Sequence, residues 1–137
     1  FSYAQALNVD PSLAAKAGLL HDIGHYNWNR NGHWDFKRYK RNDIHTIKGA
    51  NRAHSLLIRL GENRHVAKEI ALAILFHTDS FLPGPLRLNS LQFVVSLADE
   101  TDKEPFGRHH HRIIDPKNAL ARIRKLDDRI RKHVLLG

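Results

Sequence analysis

The 137-residue sequence contains no cysteine. A disulfide framework, a thiol nucleophile, a redox pair and a thiolate zinc site are therefore excluded together. It also contains no methionine and begins at Phe1, so the initiator is missing and the sequence reads as a piece of a longer protein. No apolar run approaches the roughly 20 residues of a membrane span. Residues 1–7 lack the basic start and apolar stretch of a secretory signal. The expectation is a cytoplasmic protein with no membrane partner. Aromatic residues make up only 8%, against 42% hydrophobic and 26% charged, which fits one globular domain able to bury a core without disulfides or a structural metal. Any metal would need a functional reason.

The sequence is rich in histidine, 11 residues, and in positive charge, with a formal net charge of +8. The excess is concentrated at the end, where residues 108–137 carry 9 basic and 3 acidic side chains against 13 and 11 in residues 1–107. Such a tail either attracts phosphates, on nucleic acid, nucleotide or protein, or forms a solvated helix face.

Helical periodicity runs through the chain, and no strand pattern with turn chemistry accompanies it. Residues 1–7 read as the end of a helix. Asp10-Pro11 opens a second over 11–23, with Leu13, Ala14, Ala17, Gly18 and Leu20 as its apolar face. The stretch 25–42 has no steady period and reads as a long surface loop. Its Trp28, Trp34, Phe36 and Tyr39 either stack on a base or cover the rim of the core. Asp43 is expected to cap a helix ending at Leu60-Gly61, with Ile47, Ala50, Ala53, Leu57 and Leu60 inward. Asn63 starts another, carrying Val66, Ala67, Ile70, Ala71, Ile74 and Leu75. Pro83-Gly84-Pro85 breaks the chain before a helix over 88–101 with Leu91, Val94, Val95 and Ala98 inward. Asp115-Pro116 opens a last helix that is expected to bury Leu120, Ile123, Ile130 and Val134. The class is all-α, a compact bundle of about six helices. Residues 105–137 are expected to form a basic loop and helix packed on the domain of residues 1–104.

Four features carry chemistry: His21-Asp22 near the end of the second helix, His45 beginning the third, His77 near the end of the fourth and Asp99 near the end of the fifth. His77 shares the stripe of Ile70 and Ile74, and Asp99 that of Leu91 and Val95, so both face inward. For a lone histidine the plain alternative is a hydrogen-bonded core residue. A buried carboxylate, by contrast, demands a cation or a strong donor. Ionisable groups pointing inward from several helices build metal sites in bundles. Imidazole with carboxylate, and no thiolate, suits iron, manganese or zinc.

The run Leu19-Leu20-His21-Asp22-Ile23-Gly24-His25, preceded by Ala17-Gly18, resembles the signature of the HD-domain superfamily of metal-dependent phosphohydrolases. The resemblance covers about residues 3–104. It implies an HD-type helical bundle and a metal set of His21, Asp22, His45, His77 and Asp99, in the version that holds two divalent ions. His45-Thr46-Ile47-Lys48-Gly49, Ala73-Ile74-Leu75-Phe76-His77-Thr78 and Ser96-Leu97-Ala98-Asp99 resemble the branch that hydrolyses dinucleoside tetraphosphates. The family's first histidine is expected upstream of Phe1. The triplet His109, His110, His111 matches no family feature and reads as a solvated loop rather than a metal site.

The resemblance, with the electrostatics of two cations, implies that Asp22 bridges them and that hydroxide held between them attacks phosphorus in a nucleotide-like phosphoester or phosphoanhydride. Lys48 and Arg52, three and seven residues after His45, share its helix face and are expected to bind phosphate oxygens, the plain alternative being simple surface charges. His25 either protonates the leaving oxygen or binds phosphate, or is a helix-terminal histidine stabilised by the dipole. Two other readings stand beside hydrolysis: a di-iron oxygenase built on the same ligands, and a non-enzymatic module whose basic last helix binds nucleic acid or another protein. The expected partners are a small phosphorylated substrate, nucleic acid through the last helix, and a second copy of the chain as a homodimer.

Overall fold

A computed structural model of the chain describes residues 1–25, 29–30, 33–34, 37, 44–78, 87–102 and 115–136. Among them are six helices: α1 Ser2–Ala6, α2 Pro11–Leu20, α3 His45–Arg59, α4 Arg64–Leu75, α5 Ser90–Asp102 and α6 Pro116–Leu136. The all-α expectation holds. None of these helices is long and apolar enough to cross a membrane.

One feature of the expected loop differs. Asn29–Arg30 and His33–Trp34 form an antiparallel ladder, pairing Asn29 with Trp34 and Arg30 with His33. Strands of two residues leave no alternation to read, so the sequence pattern does not show them. Trp28, Phe36, Tyr39, the side chain of Trp34, the capping role of Asp43, the Pro83-Gly84-Pro85 break and the histidine triplet lie outside the described residues.

Side-chain caps account for most helix starts. Asp10 accepts from the amides of Ser12 and Leu13 at 2.8 and 3.4 Å, with Pro11 in the first turn. Asn63 does the same for α4, from His65 at 2.8 Å and Val66 at 3.4 Å. Asn89 and Gln92 exchange bonds at α5, each backbone amide donating to the other's side-chain oxygen, at 3.0 and 2.9 Å. Helix α3 ends in a Schellman motif, Gly61 N–H to Ile58 O at 3.1 Å and Glu62 N–H to Leu57 O at 2.9 Å. Gly61 takes the left-handed conformation this requires, φ 84°. The chain re-enters a helix at Arg64, and α3 and α4 pair as a hairpin.

The core is unusually rich in alanine: Ala4, Ala14, Ala17, Ala50, Ala53, Ala67 and Ala73 are buried with Leu57, Ile70, Ile74, Leu91, Val94 and Val95. Such small residues let α2, α3, α4 and α5 approach closely, and Ile70 and Ile74, fully buried, each contribute about 1.5–3 kcal/mol. Close approach is what lets side chains from four segments reach one point.

Several inward expectations fail. Ile47 is 45% exposed and Leu60 74%, because the buried face of α3 follows Ala50, Ala53 and Leu57, and Leu60 lies where the helix has ended. On α6, Leu120, Ile123 and Val134 are exposed and Ile130 only half-buried. This helix touches the bundle along one edge of its apolar stripe. Leu19, itself exposed on α2, faces Ala119, Ile123 and Leu126 across a groove. At the far end Gln5 Nε2 bonds His133 Nδ1 at 3.2 Å, the His133 ring meets Phe1 edge-on, and the Arg129 guanidinium sits 4.5 Å over the Phe1 ring. The basic residues Arg122, Arg124, Lys125, Arg131 and Lys132 are exposed, as is Arg129 apart from its contact with Phe1.

Candidate metal centre

Helix α2 ends at Leu20 instead of continuing to Ile23, and residues 21–24 form a turn. The last carbonyls of a helix have no partner within it. His21 uses one of them: its Nδ1 donates to Gly18 O at 2.7 Å. His77, just after α4, repeats the arrangement with Ile74 O at 2.6 Å. In each case the Nδ1–H bond to a carbonyl three residues back fixes the tautomer and leaves Nε2 with its lone pair available, the form that ligates metals.

For His21 that nitrogen meets two carboxylates. His21 Nε2 lies 3.3 Å from Asp22 Oδ2 and 3.5 Å from Asp99 Oδ1. His77 Nε2 lies 3.3 Å from His45 Nε2 and 3.8 Å from Asp22 Oδ1. His45 and His25 complete the cluster, their Nε2 atoms 3.9 and 3.1 Å from the same Oδ1. All five residues read as ligands from the sequence therefore converge. Asp22 is the hub, with Oδ2 turned toward His21 and Oδ1 toward the other three imidazoles. Two sets of donors lie within 4.8 Å of one another, His21 with Asp22 and His77, and Asp22 with His25 and His45.

A lone pair facing two carboxylates is satisfied only by a cation between them, a proton or a metal. The electrostatics reflect this. Burial alone would lower the His21 pKa, but the carboxylates of Asp22 and Asp99 outweigh it and lift the value from 6.5 to about 10. Burial would raise Asp22, yet His21 and His25 hold it well below the usual carboxylate range. Burial would raise Asp99 too, and His21 again lowers it. His77 moves the other way, pushed down chiefly by burial. Two ionised carboxylates and a neutral imidazole are a donor set ready for a divalent ion, so the residues present fit such a group.

Backbone contact at two glycines holds this cluster together. A β-carbon on Gly24 would lie 2.0 Å from His45 O and 2.3 Å from Gly49 N, and one on Gly49 would lie 3.3 Å from His21 O. The turn after His21-Asp22 is thus laid directly on the first turn of α3. Arg52 clips the same turn, its Nη1 donating to Ile23 O at 3.1 Å. Lys48 is half-buried one turn after His45. Sequence reasoning alone misses both glycines as parts of the site. The pair Gly24 and Gly49 is a cue only when the two segments are known to cross.

Residues 1–104 match the family described as HD domain. The chain is 64% identical over 124 residues to the Bacillus subtilis (strain 168) protein named "Putative phosphohydrolase YueE", covering 90% of this chain and 70% of that relative. No solved structure matches. With the His-Asp turn, the paired helix-terminal histidines and the match over three quarters of its length, the chain belongs to the HD-domain family and is a metal-dependent phosphohydrolase.

Proposed function

We propose that the enzyme cleaves a phosphoester or phosphoanhydride of a nucleotide-like substrate, nearest in kind to a dinucleoside polyphosphate, with His21, Asp22, His45, His77 and Asp99 as metal ligands. The observation that carries the ligand set is the placing of Asp22, whose Oδ2 faces His21 and whose Oδ1 faces His25, His45 and His77, at 3.1–3.9 Å. A carboxylate so placed would offset the repulsion between two cations. Divalent ions held there would supply Lewis acidity and water of lowered pKa.

The chain's own residues do the rest. His21 and His77 keep Nε2 aimed inward because their Nδ1 protons are tied to Gly18 O and Ile74 O. Asp99 balances the charge on the side of His21. Lys48 and Arg52 lie on the α3 face that His45 begins and would bind phosphate oxygens; Arg52 has further guanidinium donors beyond the one spent on Ile23. The pattern of residues around His45, His77 and Asp99 supports a dinucleoside polyphosphate over a simple phosphomonoester. A panel of mononucleotides, dinucleoside polyphosphates and non-nucleotide phosphoesters, assayed with manganese, iron or zinc, tests this. Preference for a non-nucleotide ester would refute the substrate class.

A further inference from the structure

We propose that His25 is a metal ligand, forming with Asp22 Oδ1 and His45 a second cation position beside that of His21, Asp22 and His77, suited to a first-row divalent ion. The inference rests on reading the cluster as a metal centre. It gives His25 a role different from that of a proton donor to the leaving group.

Four observations carry it. His25 Nε2 is 3.1 Å from Asp22 Oδ1, nearer than either His45 or His77. Donors on one four-coordinate ion, with metal–nitrogen bonds of about 2.0–2.1 Å, lie about 3.3 Å apart. The separations of 3.1 and 3.9 Å from Asp22 Oδ1 to His25 and His45 bracket that value. The His25 and His45 rings are stacked at 4.1 Å and 8° from parallel, so both present Nε2 on the same side, toward one oxygen. Finally, the His25 side chain is only 17% exposed and points into the cluster. A general acid must reach the leaving oxygen of a substrate, and an imidazole whose Nε2 is turned to the hub carboxylate is not disposed for that.

The backbone explains why His25 reaches this place. Its amide closes the turn onto Asp22 O at 3.0 Å, and Gly24 lets that turn pass against His45 O and Gly49. His45 begins α3 at that point of contact, so the two rings are brought face to face by the crossing of the segments. The spacing His21-Asp22-Ile23-Gly24-His25 thus supplies three donors from one turn.

The test uses the full chain stripped by chelator and reloaded with cobalt(II), followed by visible absorption, and with zinc, followed by metal analysis after dialysis. Loss of one ion per chain in His25→Ala, or a fall of at least about a hundredfold in affinity for the second equivalent, is the expected result. Retention of both ions at unchanged affinity while hydrolysis falls would assign His25 to proton transfer and overturn the proposal. The parallel variant Asp22→Ala tests the underlying reading: if the unmodified chain and Asp22→Ala bind metal alike, the cluster is not the metal centre. Should His25→Ala fold poorly, the cobalt-loaded unmodified chain answers by NMR. Four hyperfine-shifted imidazole N–H signals are expected, from His21, His25, His45 and His77, and three would exclude His25.

Discussion

Gly24 lies so close to Gly49 that a β-carbon on the first would sit 2.3 Å from the amide nitrogen of the second. Two segments well separated in sequence therefore meet backbone to backbone, and the His-Asp turn is seated on α3 with no side chain between them. Gly24→Ala must push the turn away. It is expected to cost about 1–3 kcal/mol, seen as a lower thermal midpoint, and to weaken metal binding by displacing Asp22 and His25. Gly18, whose β-carbon would meet nothing within 4 Å, is the control: Gly18→Ala inside α2 is expected to stabilise by about 0.5–1 kcal/mol. Equal effects of the two changes in thermal melts would show that the glycine contact is unimportant.

Asp22→Asn keeps the shape of the hub and removes its charge. Bound metal is expected to fall and turnover to drop by at least roughly a hundredfold. Metal analysis beside a kinetic assay checks both, and normal turnover would place the chemistry elsewhere.

In protein stripped of metal, the raised His21 pKa links stability to pH. The folded value, about 10, lies above the ordinary 6.5, so its contribution is full below about pH 6.5 and is lost as pH rises through 10. The thermal midpoint of the stripped protein should therefore fall between pH 7 and 10 relative to a His21→Gln variant. Loading metal at pH 8 should displace that proton. Calorimetric titrations in buffers of differing ionisation enthalpy are expected to show release of about one proton from His21; absence of any release at pH 8 would contradict the pairing of His21 with Asp22 and Asp99.

On α6, Arg122, Arg124, Lys125, Arg131 and Lys132 are exposed and belong to a helix packed against α1 and α2. Neutralising several should leave hydrolysis of a small nucleotide within about twofold, because screened surface charges act weakly over distance. If the helix recruits nucleic acid, the same change should reduce the salt slope of binding by about one for each phosphate no longer neutralised. Collapse of small-nucleotide hydrolysis would instead place the tail at the active site.

The local grammar of the chain is legible from residue types alone. Asp10-Pro11 and Asn63 mark helix starts and Leu60-Gly61 a helix end because caps are settled within a few residues. The stripes of Ile70, Ile74, Leu91 and Val95 predict which faces are buried, and with them the inward direction of His77 and Asp99. His21, Asp22 and His45 join them through the resemblance of the His-Asp run and of the segment after His45 to the HD-domain pattern, not through periodicity. The stripe of α6 misleads for a complementary reason: periodicity says which residues share a face, not how much surface is available to cover it. Only the folded chain decided that Leu120, Ile123 and Val134 stay exposed. It also decided the length of α2, which stops three residues early so that His21 can cap it with its own ring. The placing of Asp22 among four imidazoles and the stacking of His25 on His45 depend on where the helices cross. That crossing is set by the absence of side chains at Gly24 and Gly49, a contact between distant residues that no local pattern encodes.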